Sequence, residues 1–264
     1  MARRIVITSG KGGVGKTTIC ANLGYTLAQN GLKVLLFDAD IGLNNLDVVM
    51  GVENKVIYDL MDVESGKCRA KQALVQDEKI KNLYVLPSNN VYCALDVSGS
   101  SLKAVLDDLD AYFDYIIIDS PAGIENGFLR AVNCSSEVII VTTPHLSAIR
   151  DADKVITILN NGNTNLLGVI VNRLRGDLIL DNQMIDLNSI EKYLKCKVIG
   201  AIPEDDMISI QLMSGGAIYR KSQSYLAFKN VADSIHYGVS NVYDCTKKYK
   251  GFIGNIKRKI RRWV

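Results

Sequence analysis

Short apolar runs recur along the chain, and most are followed by a stretch with helical periodicity. The runs are rich in β-branched residues, which is typical of strands buried on both faces of a sheet. The seven runs are residues 3–8, 33–37, 83–86, 115–118, 138–141, 167–171 and 198–202. The expected helices are residues 16–30, 98–112, 126–134, 147–159, 186–194 and 224–242. This alternation predicts an α/β fold with a single doubly wound, mostly parallel sheet of seven or eight strands.

The loop after the first run matches the phosphate-binding pattern G-x-x-x-x-G-K-[ST] over residues 10–17. Its glycines let backbone N–H groups point inward at anionic oxygens, and the next helix adds its partial positive charge. Lys16 can reach the β- and γ-phosphates, and the Thr17 hydroxyl can ligate Mg²⁺. The predicted nucleotide-binding residues of this loop are Gly10, Lys11, Gly12, Gly13, Val14, Gly15, Lys16, Thr17 and Thr18. The pattern predicts a P-loop nucleotide site.

Carboxylates follow two of the other runs. Asp38 and Asp40 come after residues 33–37, and Asp119 comes after residues 115–118. In doubly wound sheets ligands bind beyond the carboxyl ends of the strands, so these side chains should lie near the phosphates. Asp119 is expected to hold Mg²⁺ through water, with Thr17 as the other metal-site residue. Asp38 alone is equally typical of turn and cap chemistry.

Composition is that of a globular protein with a sizeable core. Of the 264 residues, 48% are hydrophobic and 22% are charged, and no composition break demands a second large domain. We expect one P-loop nucleotide-binding domain over residues 1–246 and a separate tail over residues 247–264. No secretory signal or membrane-spanning run is evident, which favours a cytoplasmic protein. The six scattered cysteines lack a C-x-x-C pair and are expected to be small buried thiols.

The net charge of +3 conceals a basic tail on an acidic body. Eight of the 31 basic residues follow Thr246 and no acidic residue does, which leaves 23 basic residues against 28 acidic ones in the body. A body with this balance is not expected to bind specific nucleic acid.

The tail reads as an amphipathic helix with one apolar arc. The predicted membrane-facing residues of that arc are Tyr249, Phe252, Ile253, Ile256, Ile260 and Trp263. Anionic lipids would accept both the arc and the surrounding cations. A core helix folded back on the domain and a nucleic-acid arm are the alternatives.

Lys11 is a second lysine inside the P-loop, and the general pattern does not require it. With it the loop resembles the deviant Walker A (MinD/ParA) family, K-G-G-x-G-K-[ST], of dimeric ATPases. The resemblance implies ATP and Mg²⁺ as cofactors and an ATP-dependent homodimer in which Lys11 reaches the partner's nucleotide. It also implies catalytic roles for Lys11 and Lys16 and a water-positioning role for Asp40. Asn172, Pro203 and Asp205 would form the adenine pocket, although such short motifs serve equally well as structural turns.

Residues 38–51, which we call the switch segment, read D-x-D-I-G-L-x-N-L-D-x-x-M-G and are followed by Ile57-Tyr58-Asp59-Leu60. This form resembles the septum-site-determining branch of the family. The resemblance implies recruitment of the division inhibitor MinC at the inner face of the cell membrane. It also implies stimulation by MinE or another topological regulator.

Other functions remain alternatives at this stage. They are a flagellar-number relative, a ParA-type DNA-partitioning ATPase, a metabolic P-loop enzyme and an iron–sulfur carrier. A ParA-type switch typically reads D-x-D-P-Q-G-N, which this chain lacks. Residues 146–153 could form a partner-contact helix or a solvated face.

Overall fold

The structure is a computed structural model, and it describes residues 1–42, 45–88, 98–162, 164–215 and 222–261. The described residues form one eight-stranded sheet with the order β3-β4-β2-β5-β1-β6-β7-β8. The strands are β1 (Arg3–Thr8), β2 (Val34–Asp38), β3 (Val75–Gln76), β4 (Leu83–Leu86), β5 (Tyr115–Asp119), β6 (Glu137–Thr142), β7 (Asn165–Leu174) and β8 (Val198–Pro203). Every pairing is parallel except that of β3 with β4. The predicted doubly wound, mostly parallel sheet is therefore confirmed.

Helices cover both faces of the sheet. They are α1 (Lys16–Gln29), α2 (Leu46–Met50), α3 (Leu60–Glu64), α4 (Gly99–Leu109), α5 (Asn126–Val132), α6 (Leu146–Asn160), α7 (Gly176–Leu180), α8 (Leu187–Leu194), α9 (Asp206–Ser214), α10 (Gln223–Tyr237) and α11 (Gly251–Arg261). Alternate residues of β1 point to opposite faces, with Val6 in the core beneath α4, α5, α6 and α8. Its neighbours Ile5 and Ile7 lie in the second core, beneath α1, α2 and α10. Two buried faces explain why the strands read as continuous apolar runs.

The structure adds elements that the sequence did not predict, namely β3 and the short helices α2, α3, α7 and α9, and it shortens some of the expected helices. The strand β3 was not predicted, because two residues are too few to form a recognisable pattern. The helix expected over residues 224–242 ends at Tyr237, since Gly238 adopts φ +71° and its N–H donates to the Ser234 carbonyl. A left-handed glycine of this kind is a common way to end a helix.

The tail departs from a continuous helix over residues 247–264. Residues Lys247–Tyr249 form a short 3₁₀ helix, and α11 begins only at Gly251, whose φ is +76°. Tyr249 is 3% exposed, so its placement on a membrane-facing arc is wrong. The 3₁₀ helix that contains Tyr249 contacts both α7 and α11, so the residue is enclosed between the body and the amphipathic helix.

The exposed apolar surface of α11 is formed by its first two turns. Phe252 is 82% exposed, Ile253 69% and Ile256 46%. The side chain of Ile260 and all of Trp263 lie outside the described residues. Within the described part of the chain, no helix is both long and apolar enough to cross a bilayer.

The cysteines that the structure describes are free thiols. Cys20, Cys134 and Cys245 are buried, as predicted, whereas Cys68 and Cys196 are partly exposed. Cys93 lies outside the described residues.

Candidate nucleotide site

The P-loop joins β1 to α1 at the carboxyl end of the sheet. Gly13 has φ +76° and Gly15 has φ +96°, a left-handed conformation that other residues rarely adopt. A Cβ on Gly15 would also lie 2.5 Å from Nδ2 of Asn172. A Cβ on Gly10 would lie 2.2 Å from the backbone oxygen of Asp151 in α6. Glycine is thus required at these positions by conformation or by close packing.

The N-terminus of α1 is arranged to receive an anion. Gly15 provides no side-chain cap, and the first turn of α1 contains no acidic residue. In the described chain, the N–H groups of this turn therefore have no carboxylate of their own helix to neutralise them. Lys16 is buried at the start of the same helix. A cationic side chain and a helix terminus converge where the sequence predicts phosphate.

Two buried carboxylates lie beside this terminus. Asp38 and Asp119 are direct register partners on the neighbouring strands β2 and β5. Burial and the proximity of Asp119 raise the pKa of Asp38 well above its usual range. Burial raises the pKa of Asp119 to about 6, although a hydrogen bond with Thr17 and the charge of Lys16 oppose the rise. Two buried carboxylates this close together repel each other when both are ionised. One of them must therefore bind a proton, or a cation must lie beside the pair.

The residues at this point fit Mg²⁺. Oδ1 of Asp119 is buried and has no hydrogen-bond partner among the described residues. The Thr17 hydroxyl is near enough to the Asp119 carboxylate to lower its pKa, so a hydroxyl and a carboxylate oxygen face the same point. Mg²⁺ is usually held by one or two such groups together with phosphate oxygens and water. The unpartnered oxygen is the feature that such an ion would satisfy.

Asp38 and Asp40 share a tight turn after β2. Asp38 accepts hydrogen bonds from the Asp40 N–H at 2.9 Å and from the Leu46 N–H at 3.3 Å. Asp38 therefore stabilises the turn and the start of α2, which is the structural role that the sequence analysis kept open for it. Asp40 is half-buried, and burial raises its pKa while the charge of Lys16 lowers it. The carboxylate of Asp40 thus lies within electrostatic range of the P-loop lysine.

Asn172 lies at the end of β7 and contacts the P-loop directly. Its Nδ2 donates to the Val14 carbonyl at 2.8 Å, and its Oδ1 accepts from the Arg173 N–H at 2.9 Å. The side chain is buried. The structure thus places Asn172 beside the loop that should bind phosphate, a link across 158 residues that the sequence did not predict.

Pro203 and Asp205 lie at the end of the neighbouring strand β8. The Asp205 carboxylate caps α9 by accepting from the Met207 N–H at 3.1 Å, and it accepts from the Ser224 hydroxyl at 2.6 Å. Burial acts to raise the pKa of Asp205, but these hydrogen bonds outweigh it and lower the pKa below its usual value. Because the carboxylate is committed to capping, any contact to a base would come from the backbone of this turn.

Lys11 points away from the buried end of the P-loop. It is exposed, and its Nζ donates to Oγ of Ser147 at 3.1 Å, in the first turn of α6. Leu146 beside it is a strongly exposed apolar residue. Within residues 146–153, Arg150 is exposed, whereas Asp151 and Asp153 are only partly exposed. The segment therefore presents a mixed surface next to Lys11.

We expect the Asn172→Ala variant to bind ADP about tenfold more weakly than the wild-type chain. The substitution leaves the Val14 carbonyl without its donor and loosens the P-loop, at a cost of roughly 1–3 kcal/mol. Titration with a fluorescent ADP analogue measures the change. Asn160→Ala, at the exposed end of α6, is the matched control. Equal affinities for the two variants would contradict a role for Asn172 in the site.

Fold and site together define a P-loop nucleotide-binding protein. Residues 5–217 match the profile of the CobQ/CobB/MinD/ParA nucleotide binding domain. The septum site-determining protein MinD of Thermotoga maritima is 43% identical over 262 residues, with 97% of each chain covered. That of Bacillus subtilis is 41% identical over 262 residues, also with 97% of each chain covered.

Solved structures give the same result. The MinC:MinD cell division protein complex of Aquifex aeolicus matches with a TM-score of 0.82 and 38% identity, covering 91% of this chain and 98% of that one. The Pyrococcus horikoshii protein MinD complexed with Mg-ADP matches with a TM-score of 0.81 and 31% identity, covering 89% and 96%. The chain belongs to the MinD family of ATPases. The family resemblance drawn from Lys11 and the switch segment is confirmed.

Proposed function

We propose that this chain is a Mg²⁺-dependent ATPase that dimerises with ATP, attaches to the membrane and helps to place the division septum by recruiting MinC. The observation that carries the proposal is the P-loop set against Asp119, whose buried Oδ1 lacks a partner in the described chain. The names of the relatives and the solved MinC:MinD complex of A. aeolicus support the cellular role.

The P-loop residues bind the phosphates in this proposal. Backbone N–H groups from Gly12 to Thr18 and the ammonium of Lys16 surround the phosphate oxygens. Thr17, and Asp119 through water, would hold Mg²⁺, which would neutralise charge on the phosphates. Asn172 and the turn from Pro203 to Asp205 form the two sides of the adenine pocket.

Hydrolysis requires a positioned water and fixed positive charge. Asp40 orients the attacking water, since its carboxylate lies in the turn that faces Lys16. Lys11 of the partner subunit would add a second cation to the transferring phosphate. Lys11 is exposed, and among the described residues its side chain makes one hydrogen bond, to Ser147. Both facts support this role, because breaking that bond frees the side chain.

Helix α11 is the membrane anchor of the proposal. Phe252, Ile253 and Ile256 are exposed apolar residues in a segment whose charged residues are all basic. An amphipathic helix of this kind lies in the headgroup region, with its apolar residues among the acyl chains and its cations near anionic lipids. The chain would then act at the inner face of the cell membrane.

Dimerisation couples this anchor to the nucleotide. One short helix binds a membrane weakly and reversibly, whereas the second helix of a dimer inserts at high effective concentration. ATP-dependent pairing therefore strengthens attachment, and hydrolysis weakens it. MinE or another topological regulator would act by stimulating hydrolysis.

Recruitment of MinC is tested by co-sedimentation with phosphatidylglycerol-containing vesicles. Labelled MinC from the organism that encodes this chain should sediment only when the chain, Mg²⁺ and ATP are all present. Lys16→Ala should leave MinC in the supernatant. If the wild-type chain sediments with ATP while MinC stays in solution, recruitment of MinC is excluded. The part of the proposal that concerns ATP-dependent membrane attachment is then retained.

A further inference from the structure

Two short helices on opposite sides of the site end against each other. Gly51 follows α2 with φ +66°, and Gly215 follows α9 with φ +64°. A Cβ on Gly215 would lie 2.9 Å from Cα of Gly51, and a Cβ on Gly51 would lie 3.2 Å from Cα of Gly215. Real Cβ atoms essentially never approach another heavy atom to 2.9 Å. The contact is backbone against backbone, and it leaves no space for a side chain at Gly215.

The helix α2 leads from this contact to the buried carboxylates. Its first residue, Leu46, donates its N–H to Asp38, and Asp38 accepts in turn from the N–H of Asp40. Leu46 and Met50 are buried in the core that also contains α1. A displacement of α2 along its axis would therefore move the turn that carries Asp40.

The helix α9 is fixed at its other end. Asp205 caps it through the Met207 N–H and is bound by the hydroxyl and the N–H of Ser224 at the start of α10. The helix α10 packs on β8 and on α1. The start of α9 is therefore attached, through Asp205 and Ser224, to the core of the domain. The backbone of Gly215 can therefore limit how far the end of α2 moves toward α9.

We propose that the Gly51–Gly215 contact is a positioning element for ATP hydrolysis. The contact fixes the position of α2 along its axis. Through the hydrogen bonds of Asp38 it thereby fixes the turn that carries Asp40, so that Asp40 can orient water. The inference rests on the proposed function, since it concerns the same reaction. Gly51 and Gly215 are positioning residues that act through Asp38 and Asp40, and an error of about 1 Å in such a site can slow a reaction roughly 100-fold.

Gly215→Ala tests the contact, with Gly238→Ala as its matched control. Gly238 also follows a helix, with φ +71°, but nothing lies within 4 Å of a Cβ there. Both variants carry the left-handed strain, and only Gly215→Ala adds the clash. We expect Gly215→Ala to lower kcat at least about tenfold relative to Gly238→Ala, with ADP affinity within about twofold. Gly51→Ala, with its milder 3.2 Å approach, should change kcat in the same direction.

Two results would overturn the inference. One is equal kcat for Gly215→Ala and Gly238→Ala. The other is a loss of ADP affinity as large as the loss of kcat, with a much lower Tm than the control, because the contact would then be merely structural. Gly51→Ala keeps the test valid if Gly215→Ala fails to fold. A wild-type chain that does not hydrolyse ATP would instead overturn the proposed function.

Discussion

The Lys11→Ala variant is expected to hydrolyse ATP at least about 100-fold more slowly than the wild-type chain, with ADP affinity changed less than about threefold. A cation supplied to the transferring phosphate by a partner stabilises charge that develops only in the transition state, and such groups contribute about 10³–10⁵ in rate. Lys11 is exposed, and within the described part of the chain its ammonium makes one hydrogen bond, to Oγ of Ser147 at 3.1 Å. Phosphate release at saturating Mg-ATP measures the rate. Lys154→Ala, which removes an exposed lysine paired with Asp151 in α6, is the control.

Mixing two inactive variants distinguishes action across a dimer from action within one chain. Lys11→Ala lacks the donated cation, whereas Asp40→Asn lacks the water-positioning carboxylate. In a mixed dimer, the site of the Lys11→Ala subunit keeps its own Asp40 and receives Lys11 from its partner. An equal mixture should recover about a quarter of wild-type activity, since half of the dimers are mixed and each has one complete site. No recovery would show that Lys11 acts within its own chain.

The Ile253→Asp variant is expected to bind anionic vesicles at least about 100-fold more weakly in the presence of ATP. The substitution removes an apolar side chain worth about 1.5–3 kcal/mol when buried, and both helices of a dimer suffer the loss. Ile253 is among the most exposed apolar residues of the described chain. Vesicle sedimentation over a range of lipid concentrations measures the affinity.

Asn255→Asp is the matched control for this substitution. It adds the same negative charge to the same exposed helix but removes no apolar group. Repulsion from anionic lipid costs about 1 kcal/mol per charge, so affinity should fall only about fivefold per inserted helix. Equal losses for the two variants would show that charge alone binds α11 to the membrane.

The position of Tyr249 determines where the tail can be removed cleanly. Because Tyr249 is buried, a chain that ends at Thr246 loses body packing as well as the helix. A chain that ends at Lys250 removes α11 and retains Tyr249. The second truncation still removes the packing of Gly254 on the Tyr249 backbone and the Arg258–Asp181 ion pair, but it disturbs the body less than the first.

Local signals predicted most of the fold. All seven apolar runs are strands, because a strand buried on both faces must be apolar along its whole length. The P-loop was equally predictable, since its glycines are required by their own backbone conformation at Gly13 and Gly15. The position of Asp119 near Thr17 followed from its place at a strand end, whereas its role at Mg²⁺ stays a prediction.

Contacts between distant residues were not predictable. The bond from Asn172 to Val14 and the meeting of Gly51 with Gly215 each join segments more than 150 residues apart, and no local pattern encodes them. Tyr249 fits the apolar arc of an ideal helix, but tertiary packing takes it into the body and starts α11 at Gly251. The cap at Asp205 likewise depends on Ser224, which the sequence alone does not place beside it.

Sedimentation with anionic vesicles under ATP, ADP and no nucleotide tests the central claim most directly, for the full chain and for the chain that ends at Lys250. We expect only the full chain to sediment, and only with ATP, because attachment needs both helices of the ATP-bound dimer. Equal sedimentation of the full chain with ATP, with ADP and without nucleotide would contradict a nucleotide-controlled membrane ATPase.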